Sequence, residues 1–373
     1  MSKIAGIVVE YNPFHNGHLY HLQKTKELTQ CDLLIAVMSG NFVQRGEPAI
    51  IDKWTRTQAA LDAGVDLVIE LPFAYVVQSA SQFAKAAVTL LNLAKCDVLV
   101  FGSESNDIES LQVMADCPIN VDAIKENLKL GYGYPKSYGM VQGAYPPNDI
   151  LGIAYLKAIK DTSMSALCIQ RTNDYHGEAI DQEIASATAI RKALLNHQDV
   201  SHSTPMGTVL SQSSLIEFGM YYPYLRLKLL TTPKEQLVNI FMMEEGMENH
   251  LFKMALLYDD FESFIQNAVS KRYTKARIQR TLTHLLVHTL KTDIKKLPPL
   301  DTCRILGFNE KGRAHLKTLQ ENEVKIASRY NQMPLPYRAL ETRSTITYAS
   351  VLGIKERNEL VQREIKGPVI KKD

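Results

Sequence analysis

Two imidazoles three residues apart, with a glycine between them, open the stretch His15-Asn16-Gly17-His18 inside "EYNPFHNGHLYHL", residues 10–22. The apolar run Ile4-Ala5-Gly6-Ile7-Val8-Val9 precedes it, so the pair sits where a buried strand gives way to a helix. Pro13 stands where a helix can begin, Asn16 and Gly17 allow close backbone approach, and His15 and His18 share one helical face. A helix N-terminus already offers unpaired N–H groups and the positive end of its dipole to an anion. Imidazole donors aimed at the same point suit an α-phosphate that a carboxylate or phosphate attacks while pyrophosphate leaves. A zinc site needs a third ligand, and His21 lies about 240° around the helix from His15, so no metal ligand is assigned.

Elements must hold that pair at a strand end, and the first half supplies them. Short β-branched runs at Ile4–Val9, Leu33–Met38, Leu67–Leu71, Val98–Phe101 and Ala166–Gln170 alternate with amphipathic stretches at His15–Leu28, Lys53–Ala63 and Ser79–Ala94. Such alternation predicts an α/β fold with a Rossmann-like parallel sheet whose ligands bind at the carboxyl ends of the strands. "GYGYPKSYGMVQGAYPP", 131–147, reads as loop. Asn148 reads as the cap of a helical run. From about Ser213 onward the periodicity is helical, with no strand alternation. The expected organisation is a nucleotide-binding catalytic domain over 1–200 and a mainly α-helical domain over 201–373.

Composition bounds the partners. The 373 residues are 45% hydrophobic and 22% charged, a globular composition with room for two cores. Five cysteines without a Cys-x-x-Cys pair indicate neither a disulfide framework nor a thiolate cage. No signal peptide and no apolar run of ~20 residues is evident, so a cytoplasmic protein with no membrane association is expected. Residues 1–200 carry 16 Lys and Arg against 22 Asp and Glu, whereas 201–373 carry 26 against 18. A basic rear half suits a polyanion.

"HNGH" resembles the His-x-Gly-His signature of the nucleotidylyltransferase superfamily, and "SATAIR", Ser186–Arg191, is similar to its downstream Ser-Ser-Thr-x-Ile-Arg motif. Ala187 replaces the second serine and removes one phosphate donor. Ser186 and Thr188 stand at a helix start, with Arg191 one turn on. Four strings, "GIVVEYNPFHNGHLYHL", "SGNFVQRGEPAIIDKWTRTQAAL", "GVDLVIELPF" and "FGSE", resemble the bacterial tRNA(Met) cytidine acetate ligase family. The resemblance implies ATP-dependent activation of acetate to acetyl-adenylate, then acetyl transfer to N4 of the wobble cytidine of elongator tRNA(Met). It implies an ATP site built from Ile7, Val8, Val9, Glu10, Tyr11, Asn12, Pro13, Phe14, His15, Asn16, Gly17, His18, Leu19 and Tyr20, with Gly102, Asn148 and Arg171.

The residues themselves agree with those roles. Gly102 ends a strand, where a base or ribose can approach the backbone; Arg171 follows a strand and can grip phosphate; Asn148 offers an amide donor and acceptor. After the second strand, Arg45 can offset charge on acetate and pyrophosphate. Lys53 and Arg56 are weaker candidates, expected on a solvated helix face. ATP chemistry implies Mg²⁺, and nothing resembles a site for acetyl-CoA. For tRNA, "KRYTKARIQRTLTHLLVHTLK" places Tyr273, Arg277, Arg280 and His284 on one face, opposite Ile278, Leu282, Leu285 and Leu286, with Lys271, Arg272 and Lys275 alongside. "GFNEKGR" adds a two-glycine loop with Lys311 and Arg313, suited to a phosphate. Two other readings stay open: a small-molecule adenylyltransferase of cofactor biosynthesis, which leaves the basic half unused, and a non-catalytic RNA-binding protein. Protein partners, the general base and magnesium ligands are not legible.

Overall fold

Strands without polar-out alternation, such as LLIAVMS and LVIEL, can only be stable where both faces of a sheet are covered, and both are buried at every position. A computed structural model describes residues 2–171 and 184–372. The chain runs β1 (Ile4–Val9), α1 (Asn16–Thr29), β2 (Leu33–Ser39), α2 (Lys53–Asp62), β3 (Leu67–Leu71), α3 (Ala80–Leu93), β4 (Val98–Ser103), α4 (Pro147–Ile159) and β5 (Ser165–Gln170). It continues through α5 (Ala187–Leu195), α6 (Lys275–Val287), β6 (Thr302–Phe308), α7 (Glu310–Glu321), β7 (Lys325–Ala327), α8 (Leu335–Ala349), α9 (Ile354–Ile365) and β8 (Val369–Ile370), with further helices between. Helix starts follow the capping residues: Asp52 accepts the Trp54 and Thr55 N–H groups, and Ser79 accepts that of Gln82.

The sheet order is β5-β4-β1-β2-β3-β6-β7, with β8 also paired to β6. β1 to β5 are mutually parallel, and the order reverses between β1 and β4. That reversal opens a crevice at the carboxyl ends of these two strands. No helix among the described residues is long and apolar enough to cross a membrane.

Three expectations are corrected here. The rear half contributes strands: β6 pairs antiparallel with β3, and β7 and β8 pair parallel with β6, so one sheet joins residues from both halves of the chain. The 131–147 segment contains a helix, Tyr134–Gln142, with a proline in its first turn and Gly143 at φ 98° ending it. Lys53 and Arg56 are fully buried instead of solvated. Arg56 donates to the carbonyls of Ile51 (3.1 Å), Glu10 (2.6 Å), Ser39 (3.1 Å) and Gly40, which ties together the ends of β1 and β2.

Lys53 belongs to a second buried cluster. Its Nζ lies 2.6 Å from Glu70 and 2.8 Å from Glu364, while Arg304 of β6 reaches the same two carboxylates at 2.6 and 2.7 Å. β3, β6, α2 and α9 therefore meet around paired charges. Removing one partner strands another's charge in a dry interior. Lys53→Met is expected to lower unfolding free energy by about 3–5 kcal/mol, read from urea denaturation.

Candidate active site

His15 is the N-cap of α1, in extended backbone (φ −148°, ψ 172°). Its Nδ1 accepts the Gly17 N–H at 3.0 Å, and its own N–H donates to Nδ1 of His18 at 3.3 Å. Histidines thus occupy both positions of a capping box usually built from Ser or Thr and Glu. With both Nδ1 atoms accepting, the ring proton of each neutral imidazole sits on Nε2, leaving two Nε2–H donors. The rings lie 3.8 Å apart, tilted by 31°.

Gly17 is required by space. A Cβ there would meet His15 Cε1 at 2.9 Å and Nδ1 at 3.0 Å. The turn before the helix is held from several sides. Ile50 N–H donates to Asn12 Oδ1 (2.8 Å), Arg191 to Asn12 O (2.8 Å), Thr204 Oγ1 to Phe14 O (2.6 Å), and Asn16 N–H to Ser203 O (3.0 Å). Tyr11 sits at φ 49°, a costly conformation for a tyrosine, with its ring edge-on to Phe14 and His18 at 4.7 and 4.9 Å.

A cavity of about 340 Å³ opens at this helix start, over the carboxyl ends of β1 and β4. Its walls include His15, His18, Arg45, Gly102, Asn148, Arg171, Ser186, Thr188 and Arg191, as well as Val8, Val9, Glu10, Tyr11, Asn12, Gly17 and Tyr20. Ile7, Pro13, Phe14, Asn16 and Leu19 do not line it; Ile7 and Phe14 are buried in the core beneath. Ser186 caps α5 by accepting the Ala189 N–H at 3.1 Å, and Thr188 Oγ1 accepts from Arg191 at 3.3 Å. The side chain of Arg171 packs against Gly102, 3.4 Å from where a Cβ would stand.

Asn148 differs from expectation, because it does not cap α4. Glu104 does so from outside the helix, accepting the N–H groups of Asn148 and Asp149 (both 3.1 Å) and the Asn148 side-chain amide (2.6 Å). His21 is a cavity residue that spacing missed: it is one turn beyond His18, and its buried Nε2 has no hydrogen-bond partner among the described residues. The same i, i+3 step that relates His15 to His18 could have found it.

Burial, then the charges of Arg171 and Arg191, push the His15 imidazole down to about 3. Burial and Arg171 bring His21 to about 4, and burial with the neighbouring imidazoles holds His18 well below its usual range. Three neutral imidazoles and three guanidinium groups therefore face one space. An oligophosphate placed there would meet the guanidinium charges and add a field that favours imidazole protonation, against the burial that chiefly keeps the rings neutral. Burial also raises the Glu10 carboxyl.

The expected tRNA face is rearranged. α6 is buried on nearly all sides: His284 contacts Val77 O at 2.9 Å, Arg280 donates to Gln78 O at 3.1 Å, and Tyr273 is buried. This face packs on the front half instead of meeting solvent, since Gly46 fits directly against the Gln279–Arg280 backbone. Arg277 is partly exposed beside Glu245. Lys271, Arg272 and Lys275 are exposed. "GFNEKGR" is the end of β6 and the start of α7, where the Gly312 N–H is already taken by Asn309 (3.0 Å), although Lys311 and Arg313 remain exposed.

The HIGH Nucleotidyl Transferase family pattern matches residues 2–364. A Geobacillus protein named tRNA(Met) cytidine acetate ligase is 36% identical over 396 residues, spanning 98% of this chain and 99% of the relative. One from Bacillus subtilis is also 36% identical, spanning 97% and 95%. The chain belongs to the tRNA(Met) cytidine acetate ligase family. Thermotoga maritima TmcAL matches over the whole of both chains at 30% identity, with TM-scores of 0.89 in its apo crystal form and 0.87 bound with alpha-thio ATP.

Two outcomes are expected from this geometry. Between pH 6.5 and about 4 the unfolded chain binds protons on these imidazoles that the folded chain refuses, so stability is full above 6.5 and falls on acidification. Unfolding free energy from urea denaturation should be lower at pH 5 than at pH 7, by up to about 1.4 kcal/mol per pH unit for each imidazole. Gly17→Ala should cost about 1–3 kcal/mol in the same assay, because its Cβ displaces His15.

Proposed function

We propose that this protein activates acetate with ATP and transfers the acetyl group to N4 of the wobble cytidine of elongator tRNA(Met). The observation that carries the reading is the pair of imidazoles at the α1 start, faced by Arg45, Arg171 and Arg191 in one cavity. The exocyclic amine of cytosine is a weak nucleophile and free acetate has no good leaving group, so the acid must be activated first. An acetate oxygen attacks the α-phosphorus and pyrophosphate departs with the electrons of the broken P–O bond. The first-turn N–H groups of α1 are taken up by Ser203 and His15, so the two Nε2–H groups, with the positive end of the helix dipole, meet the charge that develops on the phosphorus oxygens. The guanidinium groups oppose charge on acetate and pyrophosphate.

Among the described residues, no group of three His, Cys, Asp or Glu side chains is placed to hold a metal ion. Mg²⁺ would then arrive with the nucleotide, held by its phosphates and water. Acetate rather than acetyl-CoA is the proposed acyl source, because a thioester already carries a leaving group and would give the ATP site no role. The exposed Lys271, Arg272 and Lys275 are placed to meet RNA phosphates, joined by Lys311 and Arg313, which also contact Asp32 O (3.3 Å) and Glu310 (3.4 Å), while Arg280 serves the interface between the halves.

Incubation with ATP, radiolabelled acetate and bulk tRNA should place label in RNA; acetate-independent AMP transfer to a small metabolite would overturn the reading. His18→Ala should reduce acetyl-adenylate formation about a hundredfold or more while tRNA affinity stays within about twofold. Changing Lys271, Arg272 and Lys275 together to Gln should lower the salt slope of tRNA binding by about 2, with acetyl-adenylate formation retained.

A further inference from the structure

A second cavity, of about 420 Å³, adjoins the first. The two share Glu47 and Arg191, whose side chains lie 3.8 Å apart, so an ion pair stands at their border. Its outer wall comes from the rear half: the short helix Phe218–Tyr221, the start of the helix Phe261–Ala268, and α6. Phe218 and Phe261 pack with ring centroids 4.9 Å apart, and the Phe261 ring is partly exposed. Gln279 lies almost fully buried in the floor and donates to Glu47 Oε1 at 3.1 Å. Lys275, in the first turn of α6, is the exposed cation of a rim that also carries the exposed carboxylates of Glu217, Asp260 and Glu262.

We propose that this second cavity receives the acceptor cytosine, unstacked from its neighbours, and that Glu47 accepts the proton its N4 loses. The inference rests on the acetyl-transfer reading above. An acetyl-adenylate held by its α-phosphate in the first cavity adjoins this space across Glu47 and Arg191, from which an amine can reach it. The volume exceeds that of one pyrimidine ring and lies within the range of small-ligand sites. A base drawn out of its stack is recognised through an aromatic face and its Watson–Crick edge, which Phe261 and the Glu47–Gln279 pair supply. A carboxylate is the acceptor that suits an exocyclic amine. In the transfer step the N4–C bond forms and the C–O bond to phosphate breaks. AMP leaves with that electron pair, and one N4 proton passes to the Glu47 carboxylate and on to water.

Gly219 offers a test, because a Cβ there meets nothing closer than 3.9 Å and its side chain would fill this cavity. In Gly219→Phe, acetate-dependent ATP–pyrophosphate exchange should stay within about twofold of the unaltered protein, while acetyl transfer to an elongator tRNA(Met) transcript falls about tenfold or more. Undiminished transfer, or equal loss of exchange and transfer, overturns the assignment of the cavity. Exchange without acetate dependence in the unaltered protein overturns instead the underlying reading, and the inference with it. Glu47→Gln should slow transfer about a hundredfold at saturating tRNA, and unchanged transfer overturns the proton-acceptor role. A transcript carrying 4-thiouridine at the wobble position should cross-link to peptides holding Phe218 or Phe261; cross-links confined to other peptides overturn the proposal.

Discussion

Two imidazoles pinned by backbone amides are the constraint on which the site depends. Each Nδ1 is committed to a helix N–H, so each ring can present only Nε2 to the cavity. That single choice of tautomer fixes what the site can donate. It also explains the glycine: nothing larger than hydrogen fits between the rings and the turn that carries them. Residues far along the chain, Thr204 and Arg191 among them, exist locally to hold carbonyls of that turn. The strained Tyr11 backbone is tolerated because the surroundings leave it no alternative.

The ends of the strands are fixed by buried charge rather than by apolar packing alone. Arg56 gathers carbonyls from the connections after β1 and β2, and Lys53 with Arg304 neutralises Glu70 and Glu364. Such groups contribute geometric definition more than net stability, since desolvation offsets much of their attraction. Around a phosphate site that trade is useful, because charge stabilisation depends on donors that do not reorganise.

The front half was legible because each of its strands is a short apolar run followed by a periodic helix; β1 and β3 match their expected bounds, and β2, β4 and β5 extend theirs by one or two residues. The paired histidines and "SATAIR" likewise declared themselves as helix starts. β6 did not, since Thr302–Phe308 is a short stretch interrupted by the charged Arg304, with no alternation of its own, and its partner, β3, lies far away in sequence. Burial of Lys53, Arg56, Arg280 and His284 was illegible for a related reason: charged side chains read as solvated unless their distant partners are known. Glu104 took over the capping that Asn148 was expected to perform, a substitution that only proximity in space reveals.

The antiparallel placement of β6 has a consequence for synthesis. While residues 72–301 are still being made, β3 emerges with one row of amides and carbonyls bare, on a strand whose side chains are wholly apolar apart from Glu70. A nascent chain carrying such an edge is adhesive, and closing it requires a contact of very long loop length. The strand order therefore makes the covering of that edge by Thr302–Phe308 a late, long-loop step of folding.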